Sequence, residues 1–134
     1  MEYAVLDTDV ASLAFKDDLP PAWVAENLAG RVTAVTFVTV GELLKWSEWR
    51  SWGLRRRSEL SDWLGRQVIL DSDHEVSQTW AYLSAQAMQR GRPRPANDTW
   101  VAACCLAEDM PLATFNVKDF EDFAEYDGLV LLGP

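Results

Sequence analysis

The stretch VLDTDVA, residues 5–11, places an acidic side chain at the end of an apolar strand and directly before a helix. Three later stretches also put an acidic or amide side chain where a strand or loop runs into a helix: TVGELL at 39–44, PANDTWVA at 95–102 and TFNVKDF at 114–120. Open α/β sheets keep their ligand sites at the ends of the strands. We therefore expect one shared cleft, formed by Asp7, Glu42, Asp98, Asn116 and Asp119.

The remaining pattern agrees with an α/β fold. Strands are predicted at Tyr3–Leu6, Val32–Val38, Val68–Leu70, Pro111–Phe115 and Leu129–Leu132. Helices are predicted from about Asp9, after Pro20 and Pro21, from Thr39 to Gly53, over Leu54–Gly65, from a Ser72–Glu75 capping box to Gly91, over Trp100–Leu106 with Asn97 as N-cap, and from near Val117. Strands that alternate with helices predict a three-layer α/β/α sandwich around a mostly parallel sheet of about five strands.

Composition predicts a single domain over residues 1–134. The chain has 134 residues, of which 49% are hydrophobic, so a core can form without disulfides or structural metal. The sequence contains no apolar run of about 18 residues, and we expect a soluble cytoplasmic protein without a membrane segment. The adjacent Cys104 and Cys105 lie in an apolar helical stretch, which is typical of buried thiols in a reducing compartment.

The charge distribution is uneven. With 21 acidic and 12 basic residues the formal charge is −9, which disfavours broad electrostatic binding to nucleic acid. The sequence nevertheless predicts a local basic surface, because Arg90, Arg92 and Arg94 lie in the loop that leads into Asp98. We expect this loop to contact substrate phosphates, whereas the triplet at 55–57 is typical of a solvated helix face.

Taken alone, each acidic position has a structural explanation. Asp7 can cap the helix that follows it, and Thr39 with Glu42 fits a capping box. Asp98 lies in the first turn of a helix, where the helix dipole favours a negative charge. Asn116 or Asp119 can cap the helix near Val117. Each of these local roles stabilises a helix by only about 1 kcal/mol.

The acidic positions taken together are harder to explain by helix capping. Several carboxylates at one sheet edge repel each other and raise their pKa values unless a cation is present. Oxygen ligands without nearby His or Cys favour Mg²⁺ or Mn²⁺, and the only histidine, His74, is expected at the surface. Divalent ions held by carboxylates are suited to phosphoryl transfer, because they activate water and neutralise charge on the phosphate.

The ordered motifs resemble those of the PIN-domain ribonucleases, most of all the VapC-type toxins of toxin-antitoxin pairs. The matching segments are VLDTDVAS, VTVGELL, RGRPRPANDTWVAA, LATFNVKDF and the terminal LVLL. They cover essentially the whole chain. The resemblance implies a compact α/β/α sandwich and a Mg²⁺- or Mn²⁺-dependent endoribonuclease.

The resemblance also implies roles for individual residues. Asp7, Glu42 and Asp98 would be the three acidic residues of the site, with Asp7 and Asp98 as direct metal ligands. The family places a fourth acid or amide after the fourth strand, and both Asn116 and Asp119 fit that position. Asn116 there would orient ligands or water, whereas Asp119 there would bind a second ion. The chain departs from its look-alikes at Asp9, where they often carry Asn.

Partners follow from the same resemblance. A VapC-type toxin would cut RNA, form a homodimer and be blocked by the tail of a small antitoxin. Trp46, Trp49 and Trp52 fall at helical spacings. They are candidates for the antitoxin groove, because Trp is favoured at interface hot spots, and the alternative is that they belong to the core.

Two other functions are compatible with parts of the sequence. Asp7-x-Asp9 after a strand also resembles the haloacid-dehalogenase-like phosphatases, with Asp7 as nucleophile and Asp9 as acid. That mechanism needs a late lysine followed by an acidic pair, and Lys118 is the only late lysine. The other alternative is a non-catalytic PIN-like binding module, which need not bind a metal.

Overall fold

The computed structural model describes residues 2–134, which contain five strands and seven α-helices. The strands are β1 (Tyr3–Leu6), β2 (Val32–Thr36), β3 (Val68–Leu70), β4 (Leu112–Ala113) and β5 (Leu131–Leu132). The helices are α1 (Thr8–Lys16), α2 (Ala22–Leu28), α3 (Phe37–Trp49), α4 (Leu54–Gly65), α5 (His74–Gln89), α6 (Ala96–Ala107) and α7 (Val117–Asp127). No helix within residues 2–134 is long and apolar enough to cross a membrane.

The five strands form one sheet in the order β3-β2-β1-β4-β5, and all four pairings are parallel. The chain builds outward from β1 on one side and then returns to place β4 on the other. The strand order therefore reverses between β1 and β4, which is where open parallel sheets form a crevice beyond the carboxyl ends of the strands. The predicted parallel α/β/α architecture is confirmed.

Successive side chains of each strand enter opposite layers, as the two-residue period of a strand requires. In β1, Val5 packs with α5, α6 and α7 on one face, whereas Leu6 packs with α1, α2 and α4 on the other. Helix α3 contributes to both layers through Val38 and Leu43. Both faces of the sheet are thus covered, and its strand ends remain the part where polar side chains gather.

The start of α3 differs from the prediction. The second strand ends at Thr36 rather than Val38, and the helix begins at Phe37 rather than Thr39. The hydroxyl of Thr36 accepts a hydrogen bond from the Thr39 amide at 3.3 Å and so caps the helix. Alternating apolar and Thr residues are compatible with a longer strand, but a side-chain cap stops it earlier. Likewise α3 ends at Trp49, and Gly53 is the N-cap of α4.

Two other predicted caps are wrong. Asp73, rather than Ser72, caps α5 by accepting from the Val76 amide at 2.8 Å. Helix α6 begins at Ala96 with Pro95 at its N-cap, so Asn97 lies inside the first turn. The fixed φ of proline, here −54°, already suits a helix entry, and the Pro95 carbonyl accepts from the Thr99 amide.

Candidate active site

Every predicted acidic or amide site residue lies at the carboxyl edge of the sheet or in a helix that starts there. Asp7 directly follows β1, and Asn116 follows β4 after two residues. Glu42 lies in the second turn of α3, which follows β2, and Asp98 and Asp119 lie in the first turns of α6 and α7. The crevice between β1 and β4 therefore has acidic side chains from several elements around it.

Asp7 is held by both of its carboxylate oxygens. Its Oδ1 accepts from the Thr8 amide at 2.9 Å, which is the capping role considered for it above. Its Oδ2 accepts from the Thr114 hydroxyl at 2.8 Å, and that hydroxyl accepts in turn from the Asn116 amide at 2.9 Å. Thr114 is completely buried. One oxygen of Asp7 thus caps α1, while the other is fixed across the crevice by the end of β4.

Asn116 does not cap α7 with its side chain, although it occupies the N-cap position. Its Nδ2 instead donates to Asp9 Oδ2 at 3.1 Å. The side-chain amide of Asn116 therefore connects the start of α7 with the first turn of α1. This contact brings Asp9, the position at which the chain departs from its look-alikes, to the rim of the site.

Glu42 is free of the capping box proposed for it, because Thr39 lies inside α3 rather than at its N-cap. Burial raises the pKa of Glu42, and the negative charges of Asp7, Asp9 and Asp98 raise it further. A hydrogen bond with Thr8 lowers it in part. The Thr8 hydroxyl also lies 3.0 Å from the hydroxyl of Thr39 in a buried contact. Glu42 therefore faces the acidic cluster.

The carboxylates lie close enough to influence one another. The pKa of Asp7 is raised by burial and then by the charges of Asp9 and Asp119, while its hydrogen bonds from Thr114 and Thr8 lower it. The pKa of Asp98 is raised by burial and then by the charges of Asp119 and Asp7, while Arg94 lowers it. The cluster consists of Asp7, Asp9, Glu42, Asp98 and Asp119.

The chemistry of this donor set fits a divalent cation. Within residues 2–134, no three His, Cys, Asp or Glu side chains already form a group that could hold a metal ion. Mg²⁺ typically takes one or two carboxylates and completes its shell with water and substrate phosphate oxygens. The donors are carboxylate and amide oxygens, and the carboxylates destabilise one another in the charged form. A bound cation would relieve that repulsion.

A family model described as the PIN domain matches residues 4–126. The chain belongs to the PIN domain family. No curated protein sequence matches this PIN domain significantly.

Solved structures support the same fold for this PIN domain. VapBC2 from Rickettsia felis, bound to a DNA fragment from its promoter, is 22% identical with a TM-score of 0.80, and the match covers 98% of each chain. DNA-bound VapBC from Salmonella typhimurium is 20% identical with a TM-score of 0.77 and coverage of 99% and 98%. VapBC-5 from Mycobacterium tuberculosis, a member of the VapBC family of toxin-antitoxin systems, is 23% identical with a TM-score of 0.72 and full coverage of both chains.

The three arginines predicted to contact substrate all lie against α7 of the PIN domain. The Arg92 guanidinium pairs with the Asp122 carboxylate, and that of Arg90 lies 4.0 Å from the centre of the Tyr126 ring. Arg94 makes a long hydrogen bond of 3.4 Å to the Asp119 carbonyl. These side chains are therefore engaged within the protein itself, and contact with RNA stays a prediction.

The predicted tryptophan series of the PIN domain divides between core and surface. Trp46 and Trp52 pack against the core on the α1, α2 and α4 side, whereas Trp49 is 75% exposed. The guanidinium of Arg50 lies about equally far from the rings of Trp46 and Trp49, at 6.0 and 5.9 Å. The series is therefore partly structural and partly available to a partner.

Sequence reasoning missed the hydroxyl side chains of the site. The Thr114 hydroxyl positions the Asp7 carboxylate through a hydrogen bond. The hydroxyls of Thr8 and Thr39 contact each other in a buried position next to the site. The available signal was weak: Thr114 is the next-to-last residue of the predicted fourth strand and the only hydroxyl residue in it, two residues before Asn116. A hydroxyl in such a place is common in strands without any function.

Proposed function

We propose that this PIN domain is a Mg²⁺- or Mn²⁺-dependent endoribonuclease and the toxin of a toxin-antitoxin pair. The observation that carries the proposal is the convergence of Asp7, Glu42 and Asp98 from three helix starts, with their pKa values raised partly by neighbouring carboxylates. Helix caps and turns do not require carboxylates to lie where they repel one another. A cation-dependent phosphodiester hydrolase does require clustered carboxylates, because they bind its ion.

Within the proposal, Asp7 and Asp98 would hold the ion, and Asp119 would hold a second one. The bound ion would neutralise charge on the phosphate and lower the pKa of the attacking water. Thr114 keeps one oxygen of Asp7 in place through its hydrogen bond of 2.8 Å. Asn116 orients the carboxylate of Asp9. Glu42, half-buried and with a raised pKa, is suited to accept a proton from the water at a carboxylate oxygen.

The proposed partners are an RNA substrate, a small antitoxin and a second copy of the chain. The similar solved structures are VapBC complexes, and one of them is described as belonging to a toxin-antitoxin system. Trp49, exposed at the end of α3, offers an aromatic anchor for an antitoxin tail. Membership of the PIN domain family leaves the phosphatase alternative without support.

The direct test is cleavage of total RNA by the purified protein in Mn²⁺ or Mg²⁺, with mapping of the new ends. We expect Asp7→Asn, Glu42→Gln and Asp98→Asn each to lower the cleavage rate by about 100-fold or more, since each removes a carboxylate charge that would bind the cation or accept a proton from the water. Each variant should be as stable as the parent or more stable, because it relieves repulsion.

Glu26→Gln is the matched control, because Glu26 is exposed on α2 and loses the same charge outside the cluster. It should cleave at the parent rate. Full activity of Glu42→Gln would refute the role given to Glu42. If the parent protein cuts no RNA in either metal, the non-catalytic binding module becomes the better reading.

A further inference from the structure

Three alternate residues of the loop before α6 contact one face of α7 in antiparallel order. Arg90 lies over Tyr126, the Arg92 side chain pairs with Asp122, and Arg94 bonds to the Asp119 carbonyl. Positions 119, 122 and 126 follow the spacing of a single helix face. These three contacts therefore set the register of the loop along α7.

The pair of Arg92 and Asp122 is the best-defined of the three contacts between the loop and α7. Arg92 Nε donates to Asp122 Oδ2 at 2.9 Å, and a terminal guanidinium nitrogen donates to Oδ1 at 3.1 Å. Asp122 is only 8% exposed, and the hydrogen bonds from Arg92 lower its pKa. A fork of two parallel bonds fixes both distance and orientation, which a single charge contact does not.

The position of the pair connects it to the acidic cluster. The loop at 91–95 runs directly into α6, whose first turn carries Asp98, and α7 carries Asp119 in its own first turn. Asp119 lies near enough to Asp98 for its negative charge to raise the pKa of Asp98, after burial, which raises it most. The pair therefore joins α7, which bears Asp119, to the loop that enters α6, which bears Asp98.

We propose that Arg92 and Asp122 form a positioning pair that fixes Asp119 relative to Asp98 within the proposed metal site, rather than a substrate contact. The inference rests on the proposed function for its cation and changes the role expected of Arg92. Its two possible roles make opposite predictions for Asp122. Loss of Asp122 disturbs a positioning pair, but it frees Arg92 for phosphate if Arg92 binds RNA.

Mn²⁺ binding in the absence of RNA, measured by calorimetry on the intact chain, separates the two roles. We expect Arg92→Gln and Asp122→Asn each to weaken Mn²⁺ binding by about 5-fold or more, in the manner of residues that support metal ligands. The double variant should be no worse than either single one, because the contact is already lost. Arg92→Lys, which keeps the charge but not the fork, should bind as weakly as Arg92→Gln.

Glu121→Gln is the matched control. It removes the same charge from the adjacent exposed position of α7 and should bind Mn²⁺ as the parent does. Circular dichroism and thermal melts would establish whether each variant is folded, and we expect substitution of Arg92 to be tolerated because its side chain is 60% exposed. Parent-like Mn²⁺ binding by folded Asp122→Asn would overturn the proposal.

Cleavage kinetics give the second measurement. At saturating Mn²⁺ we expect the KM for RNA to be unchanged in Arg92→Gln and Asp122→Asn. A raised KM in Arg92→Gln alone would overturn the positioning role and support a phosphate contact. If the parent binds Mn²⁺ but cuts no RNA, the proposed function fails while the binding series still decides the role of the pair. If the parent binds no Mn²⁺, both fail.

Discussion

Thr114 determines how Asp7 presents its second oxygen. The Thr114 hydroxyl donates to Asp7 and accepts from the Asn116 amide. A hydrogen bond to the charged carboxylate lowers the pKa of Asp7, against burial, which raises it. In Thr114→Val we expect this pKa to rise further and the acid limb of the pH–rate profile for RNA cleavage to move to higher pH. The free energy of unfolding should fall by about 1–3 kcal/mol, because buried polar groups lose their partner.

Thr114→Ser is the control for this substitution, since it keeps the hydroxyl and loses only a methyl group. Its pH–rate profile should coincide with that of the parent. An unshifted acid limb in Thr114→Val would show that the hydroxyl does not govern the ionisation of Asp7.

At the scale of elements, the position at which α3 begins decides whether Glu42 caps the helix or joins the acidic cluster. Thr36 caps the helix by accepting from the Thr39 amide, so Glu42 remains available to the acidic cluster. Thr36→Val keeps the shape of the buried side chain and removes the cap. We expect a loss of about 1 kcal/mol in the free energy of unfolding, measured by urea denaturation. Thr36→Ser retains the cap and should lie much closer to the parent.

A parallel substitution tests the rejected capping box. If Glu42 reached back to cap α3, Glu42→Ala would destabilise the protein as much as Thr36→Val does. The position of Thr39 inside the helix leads us to expect no such loss. Equal destabilisation of the two variants would restore the capping role.

At the scale of the whole molecule, the acidic cluster makes stability depend on pH. The pKa values of Asp7, Glu42 and Asp98 are raised above their ordinary values of 3.8, 4.5 and 3.8. Between the ordinary and the raised values the folded protein binds more protons than the unfolded chain, so stability falls as pH rises through this window. Without metal, we expect the Tm to increase as pH is lowered from neutral towards these ordinary values. A Tm that falls over the same range would contradict this.

The pair of Arg92 and Asp122 changes the stability of the protein in the opposite direction when the pH is lowered. The hydrogen bonds from Arg92 lower the pKa of Asp122. The pair therefore contributes to the free energy of unfolding above pH 3.8, and this contribution is lost only as pH falls through the lowered pKa.

Mn²⁺ should raise the Tm at neutral pH, by an amount equivalent to about 2.7 kcal/mol when its concentration is 100 times the Kd. This gain should shrink as the cluster becomes protonated, which thermal melts with and without Mn²⁺ would measure.

The sequence by itself determined the α/β class, the parallel sheet and the set of acidic stretches, because strand and helix periods are local and can be read from neighbouring residues. Asp7, Glu42 and Asp98 were identifiable as candidates for the same reason: each lies near a predicted helix start. The helix caps at Thr36, Asp73 and Pro95 were not, since several nearby residues could serve and packing selects one.

Only the tertiary structure decided which partners these residues have. Asp7 meets Thr114 across 107 positions of sequence, and Arg92 meets Asp122 across 30. Such contacts depend on the strand order that brings β4 beside β1 and on the packing of α6 against α7. The basic loop that the sequence suggested for RNA lies along α7, where Arg92 pairs with Asp122, Arg90 lies over the Tyr126 ring and Arg94 donates to the Asp119 carbonyl. These contacts join residues that only the folded chain brings together, so no local pattern of the sequence could predict them.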